Sequence, residues 1–215
     1  MLVQTPSKIL KTDFRIWENF NQTASTSVLS DEEKTGRLQS VKEIVLSENA
    51  DYHLSCNKEC TAVLLPLYGE IIINDYYESV KAGESLTLAR SPQSPIHVKN
   101  LLNNEVSDIL VLYFEAQPPN KSPQKNVLAF EEKNRFFPFS ETIILPNFIG
   151  LYDGRKEGNY TPQKKNATLF GMVLHGAFEF QNRLMENRDA IVLWDTDELE
   201  FEALSEDALL LFIEV

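Results

Sequence analysis

The sequence predicts an all-β protein built from two tandem units of similar design. Three observations carry this. Apolar residues fall in short runs, rich in Val, Ile, Leu, Phe and Tyr and separated by turn residues. A proline-rich polar stretch divides the chain. The same succession of strands and turns is spelled out on both sides of it.

Taken in order, the strand-like runs are 41–46 (VKEIVL), 61–67 (TAVLLPL), 70–74 (EIIIN), 85–89 (SLTLA), 95–99 (PIHVK) and 106–114 (VSDILVLYF). Beyond the divide come 142–152, 168–174 (TLFGMVL), 177–181 (AFEFQ), 189–194 (DAIVLW), 198–204 (ELEFEAL) and 207–214 (DALLLFIE). In 198–204, Leu199, Phe201 and Ala203 alternate with Glu198, Glu200 and Glu202, which predicts a strand with one wet face. Helical signals are few. Ser30 to Glu33 has the shape of a capping box, but no apolar period follows it, so a short turn is expected there and another over Phe130–Arg135.

The segment AQPPNKSPQKN, residues 116–126, has linker chemistry: prolines, amides and no large apolar side chain. It predicts an N-terminal domain over 1–115 and a C-terminal domain over 127–215. The first reads VLLPLYGEIIIN, KAGESLTLA, SPIHVKN and SDILVLYFE. The second reads LFGMVLHGAFEFQ, ENRDAIVLW, DELEFEA and EDALLLFIE. Each has a strand ending in Leu-x-Gly (Gly69; Gly176), where glycine supplies the positive φ of a tight reversal. Each then has an acid in the next turn, Glu84 or Asp189.

The chain has 215 residues with 20 Lys/Arg and 32 Asp/Glu, a net charge of −12. Residues 1–115 carry 10 bases and 16 acids, and 116–215 carry the same numbers, so each part is −6. This charge argues against direct nucleic-acid binding, which needs a cationic face to displace counterions. The run from Glu186 to Val215 is strongly acidic and Lys121–Lys165 is net basic; such two-signed surfaces can help a homodimer to dock. The two cysteines, Cys56 and Cys60, make neither a disulfide framework nor a complete zinc site, and are expected to be small core residues. No secretory pattern and no apolar run of membrane-spanning length is present, so a cytoplasmic protein without membrane attachment is expected.

The two phrases, LYGEIII with AGESLTL and LHGAFEF with NRDAIVL, resemble those of cupins. Two in one chain resemble a bicupin, two tandem double-stranded β-helix barrels. GRLQSVKEIVLSENADYHLSCN, residues 36–57, is similar to the lead-in to the metal motif of pirins, a family that includes quercetin 2,3-dioxygenase-like proteins. The resemblance covers residues 36–215 and implies a pirin-like bicupin.

That resemblance also implies a metal site in the N-terminal barrel, with His-x-His, a later Glu and a further His. This sequence departs from the pattern. Counting back from Gly69, the Glu place falls on Thr61 and the two His places on Asn57 and Ser55; only the last His has a counterpart, His97, within a residue of the expected spacing. A neutral amide and two hydroxyls do not make a tight divalent site. A two-residue slip of the strand would instead gather His53, Glu59 and His97, two imidazoles and one carboxylate, around Fe²⁺ or another divalent transition metal. His175 lies in the Leu-x-Gly turn and is expected to be exposed.

The sequence therefore predicts a pirin-like bicupin that has lost its metal, has no cofactor, and serves as a small-molecule-binding or interaction protein. His53, Ser55, Asn57, Thr61 and His97 would line a cavity in the N-terminal barrel and hold a small organic ligand by hydrogen bonds; a protein partner is the other expectation. The alternative is a quercetinase-type dioxygenase using His53, Glu59 and His97.

Overall fold

The computed structural model describes residues 5–74, 76–117 and 122–215 of the chain. The strands of the first part are β1 Ser7–Leu10, β2 Glu18–Phe20, β3 Thr23–Leu29, β4 Leu38–Leu46, β5 Asp51–Leu54 and β6 Cys60–Tyr68. They continue with β7 Glu70–Ile73, β8 Tyr76–Lys81, β9 Glu84–Arg90, β10 Ile96–Asn100, β11 Ser107–Glu115 and β12 Gln124–Val127. The rest are β13 Arg135–Pro138, β14 Asn147–Tyr152, β15 Glu157–Tyr160, β16 Ala167–His175 and β17 Phe178–Phe180, then β18 Leu184–Met185, β19 Ala190–Thr196, β20 Leu199–Ala203 and β21 Ala208–Glu214. The only helical pieces among the described residues are two 3₁₀ turns, Thr12–Phe14 and Asp31–Glu33. The second is the expected turn, where Glu33 N–H donates to the Ser30 carbonyl.

Each unit is a pair of sheets, and the strand orders repeat. The N-terminal unit has β12-β9-β6-β11-β4-β3-β2 over β5-β10-β7-β8. The C-terminal unit has β1-β19-β16-β21-β14-β13 over β15-β20-β17-β18. Every pairing is antiparallel. Two facing sheets with apolar inner positions and polar outer ones bury one continuous core per unit. In the first, Leu64, Ile71, Leu86, Val98 and Val111 meet; in the second, Phe178, Phe180, Leu193, Phe201 and Phe212.

The repeat extends to turns and irregularities. Gly69 has φ +85° and Gly176 φ +77°, as the reversals require. Just before each lies a register slip, at Leu67 in β6 and at Leu174 in β16. The acids Glu84 and Asp189 lock the following turn alike: each carboxylate accepts the backbone N–H three residues earlier, of Lys81 and of Glu186.

The two compact units differ from the division at 1–115, 116–126 and 127–215. Residues through Phe14 belong with the C-terminal unit, because β1 pairs with β19. Residues Ser140–Ile144 belong with the N-terminal unit. The expected linker ends in a strand, since β12 pairs with β9; its residues 118–121 lie outside the described residues. The strand expected over 142–152 begins only at Asn147, after Pro146. Phe136 stands edge-on to Phe148, Tyr160 and Phe212 within the C-terminal unit. No helix among the described residues is long and apolar enough to cross a membrane.

Candidate functional site

The expected site lies on β5, the loop after it, β6 and β10, and its outcome turns on which face each residue occupies. Along β5 and β6 the inward residues are Leu54, Cys60, Ala62 and Leu64, with Tyr52 and Cys56 packed against the same core; along β10 they are Ile96 and Val98. These carry even numbers, whereas every expected ligand carries an odd one. His53, Ser55, Asn57 and Glu59 are exposed. Thr61 is buried, but outside the interior cluster; its hydroxyl accepts the Gln117 backbone N–H at 3.0 Å. The five residues thus do not line a cavity inside the barrel. Counting back from Gly69 crosses the bulge at Leu67, and one inserted residue exchanges the faces of everything beyond it.

What the structure does bring together is His53 and His97. They sit directly opposite each other on β5 and β10, with ring centroids 4.2 Å apart and planes 1° from parallel. Asp51, two residues before His53 on the same face, joins them: its Oδ2 lies 2.6 Å from His97 Nε2. The side chains of His97 and Asp51 are 37% and 54% exposed. The hydrogen bond from His97 holds the Asp51 carboxyl below its ordinary range. The His97 backbone N–H is fixed by Asn74 Oδ1 at 3.0 Å. One ligand atom from each of Asp51, His53 and His97 lies within 4.8 Å of the other two. Glu59 is not part of this group. Asp51 escaped the sequence reading, although its i, i+2 spacing from His53 on a strand puts the two on one face. A groove of about 520 Å³ opens beside Asp51 and His53, walled also by Phe20, Asn21 and Asn49.

The barrel interior offers different donors. Besides aliphatic groups, its cluster holds Cys60 and Tyr113, flanked by Cys56, Tyr52 and Tyr76. Burial and a hydrogen bond with Cys56 push the Cys60 thiol up to about 12, so it stays protonated at neutral pH. Burial likewise holds the Tyr113 phenol far above its ordinary range; its hydroxyl is buried and has no hydrogen-bond partner among the described residues. Both cysteines are free. His175 is exposed, as expected for its turn.

Two double-sheet barrels of the same strand order in one chain define a bicupin. Residues 148–215 match the family model described as the quercetinase C-terminal cupin domain. Solved structures agree over nearly the whole chain. The bacterial pirin YhhW of Escherichia coli, in complex with nickel(II), is similar at a TM-score of 0.78 and 13% identity, covering 97% of this chain and 99% of that one. The E. coli protein YhaK is similar at 0.70 and 18%, covering 94% and 95%. Quercetin 2,3-dioxygenase from Acinetobacter baumannii is similar at 0.70 and 8%, covering 98% and 86%. A search of curated proteins finds no match. The chain is a pirin-like bicupin in fold.

That fold implies a metal inside the N-terminal barrel, held by imidazole and carboxylate. The inward residues here do not fit it. On β5, β6 and β10 the inward places carry aliphatic side chains and Cys60, whereas His53 and His97 stand on the opposite face; the Cys60 thiol and Tyr113 phenol are held in their neutral forms.

Proposed function

We propose that this pirin-like bicupin works without a metal centre inside its N-terminal barrel, as a binding or interaction protein and not as an oxygenase. One observation carries the reading: the inward places of β5, β6 and β10 hold Leu54, Cys60, Ala62, Leu64, Ile96 and Val98. Those places offer no imidazole and no carboxylate to an oxygen-activating ion, and Cys60, the one ligand-type residue among them, is held as a neutral thiol. Of the two expected roles, a ligand inside this barrel and a partner on its surface, the apolar side chains at these inward places favour the second. The partner would be a protein or another copy of the chain. The free cysteines support the cytoplasmic placement expected from the sequence.

The dioxygenase alternative draws support from His53 and His97 standing together, but Glu59 does not join them. The test is oxygen uptake with quercetin, using protein loaded in turn with Fe²⁺, Ni²⁺ and Mn²⁺. We expect no uptake above that of the free ions. Catalytic turnover with any of the three metals overturns the proposal.

A further inference from the structure

Two of the chain's three histidines stand face to face on the outside of the β5–β10 pair with a carboxylate bonded to one of them. The barrel core does not need them there. The matching pair in the C-terminal unit, β15–β20, has Asn159 opposite Glu200, with Glu157 in the place of Asp51, and packs without imidazoles.

We propose that Asp51, His53 and His97 form a binding site for a late divalent transition metal, such as Ni²⁺ or Zn²⁺, on the outer face of the N-terminal barrel. The site is distinct from the interior position that the fold implies, and it stands whether or not the reading above does. Opposed residues on antiparallel strands hold their Cβ atoms about 4.5–5.5 Å apart, close enough for two imidazoles to reach one ion. Metal–nitrogen bonds of about 2.0–2.1 Å in a tetrahedral site put ligand atoms roughly 3.4 Å from one another. The three ligand atoms are already within 4.8 Å, so small side-chain rotations close the set.

The ring stack defines the metal-free state. An ion must lie in the plane of each imidazole that binds it, and one ion cannot lie in both of two parallel planes. Loading therefore turns at least one ring about its soft Cβ–Cγ torsion and exchanges the Asp51–His97 hydrogen bond for coordination. Imidazole and carboxylate ligands suit nickel, zinc, copper and iron in the divalent state. Three protein ligands leave further positions open to solvent, beside the groove under Phe20 and Asn21, where water or a small anion completes the coordination.

The test is calorimetric titration of chelator-stripped, full-length protein with NiCl₂ and with ZnCl₂ in a non-coordinating buffer. One ion per chain is expected. His53→Ala and His97→Ala should each abolish the saturable heat, and Asp51→Asn should weaken binding by about tenfold or more. His175→Ala, which removes the remaining histidine, and the double change Cys56→Ser with Cys60→Ser should leave it in place. All three ligands are surface residues, and far-UV circular dichroism shows whether each variant keeps its sheet. A second readout is ring rotation: saturating Zn²⁺ should shift the proton resonances of both His53 and His97 and spare those of His175. No saturable binding overturns the site, as does binding that survives both histidine variants. Binding lost with the cysteines alone moves the ion into the barrel and overturns it too. Quercetin turnover bears on the previous proposal and leaves this one untouched.

Discussion

Asp189 is 1% exposed, yet its carboxylate is fully occupied. It accepts the backbone N–H groups of Thr12 and Glu186 at 2.9 Å each, and Lys11 Nζ at 2.6 Å. Truncation to Ala strands two backbone donors, and each such loss costs about 1–3 kcal/mol. Asp189→Ala should therefore lower stability by about 2–4 kcal/mol in urea unfolding, larger than the same change at exposed Asp195. At Asp51 the effect is one of pH. Its folded carboxyl titrates below the ordinary value near 3.8, so its contribution is present above that value and is lost as pH falls through the folded one. Thermal melts of the wild type and Asp51→Asn should differ slightly above the ordinary carboxylate range and converge as pH falls through the lowered folded value, the difference being small because the pair is exposed. The thiols give a kinetic test. Cys60 is buried and held protonated, while Cys56 is partly exposed. Iodoacetamide at about pH 8 should label Cys56 well before Cys60, read by peptide mass spectrometry.

Elements with a strong apolar signature were legible, and those without it were not. The runs at 61–67, 106–114 and 207–214 became β6, β11 and β21 with their ends moved by about one residue. The strands SKIL (β1), DYHL (β5), QKNV (β12) and EGNY (β15) were missed, since each is short and partly exposed and exists because a distant strand offers it an edge. The Leu-x-Gly turn was legible because its requirement is local. A Cβ on Gly69 would come within 2.6 Å of Ser107 Oγ and 3.0 Å of Val106 O, whereas Gly83, also at positive φ, has nothing within 4 Å. Gly83→Ala pays only backbone strain, about 1 kcal/mol, and Gly69→Ala should cost about 2–3 kcal/mol, as compared by urea midpoints. Equal costs would mean that the close approach to Ser107 is relieved by movement of that loop. The site was half legible. The two histidines could be named from spacing, but the face of His53 could not, because the bulge at Leu67 stands between it and the glycine used as the ruler.

At the scale of the molecule, the repeat is more regular in space than in sequence. Both units complete the edge beside their third long strand with a piece taken from elsewhere: β12 covers β9, and β1 covers β19. A lysine accompanies each: Lys125 lies 3.7 Å from Glu84, and Lys11 2.6 Å from Asp189. Residues Ser7–Leu10 are thus part of the C-terminal unit's sheet. A chain shortened by residues 1–11 should keep its fold but lose amide protection in Ala190–Leu193, measured by hydrogen exchange, because those strand groups lose their partners. Unchanged protection there would show that β1 adds little to the sheet.

By itself the sequence determined the class, the repeat and the order of the long strands, because alternation and turn chemistry act between residues near one another in the chain. It also determined that few ligands for a pirin-type metal site are available. The tertiary structure alone decided which edge each short strand completes, since their partners lie far along the chain, for β1 more than 150 residues away. It alone turned His53 and His97 outward and set Asp51 against them. A strand has a two-residue period, so a single bulged residue settles which side chains enter the core and which meet solvent.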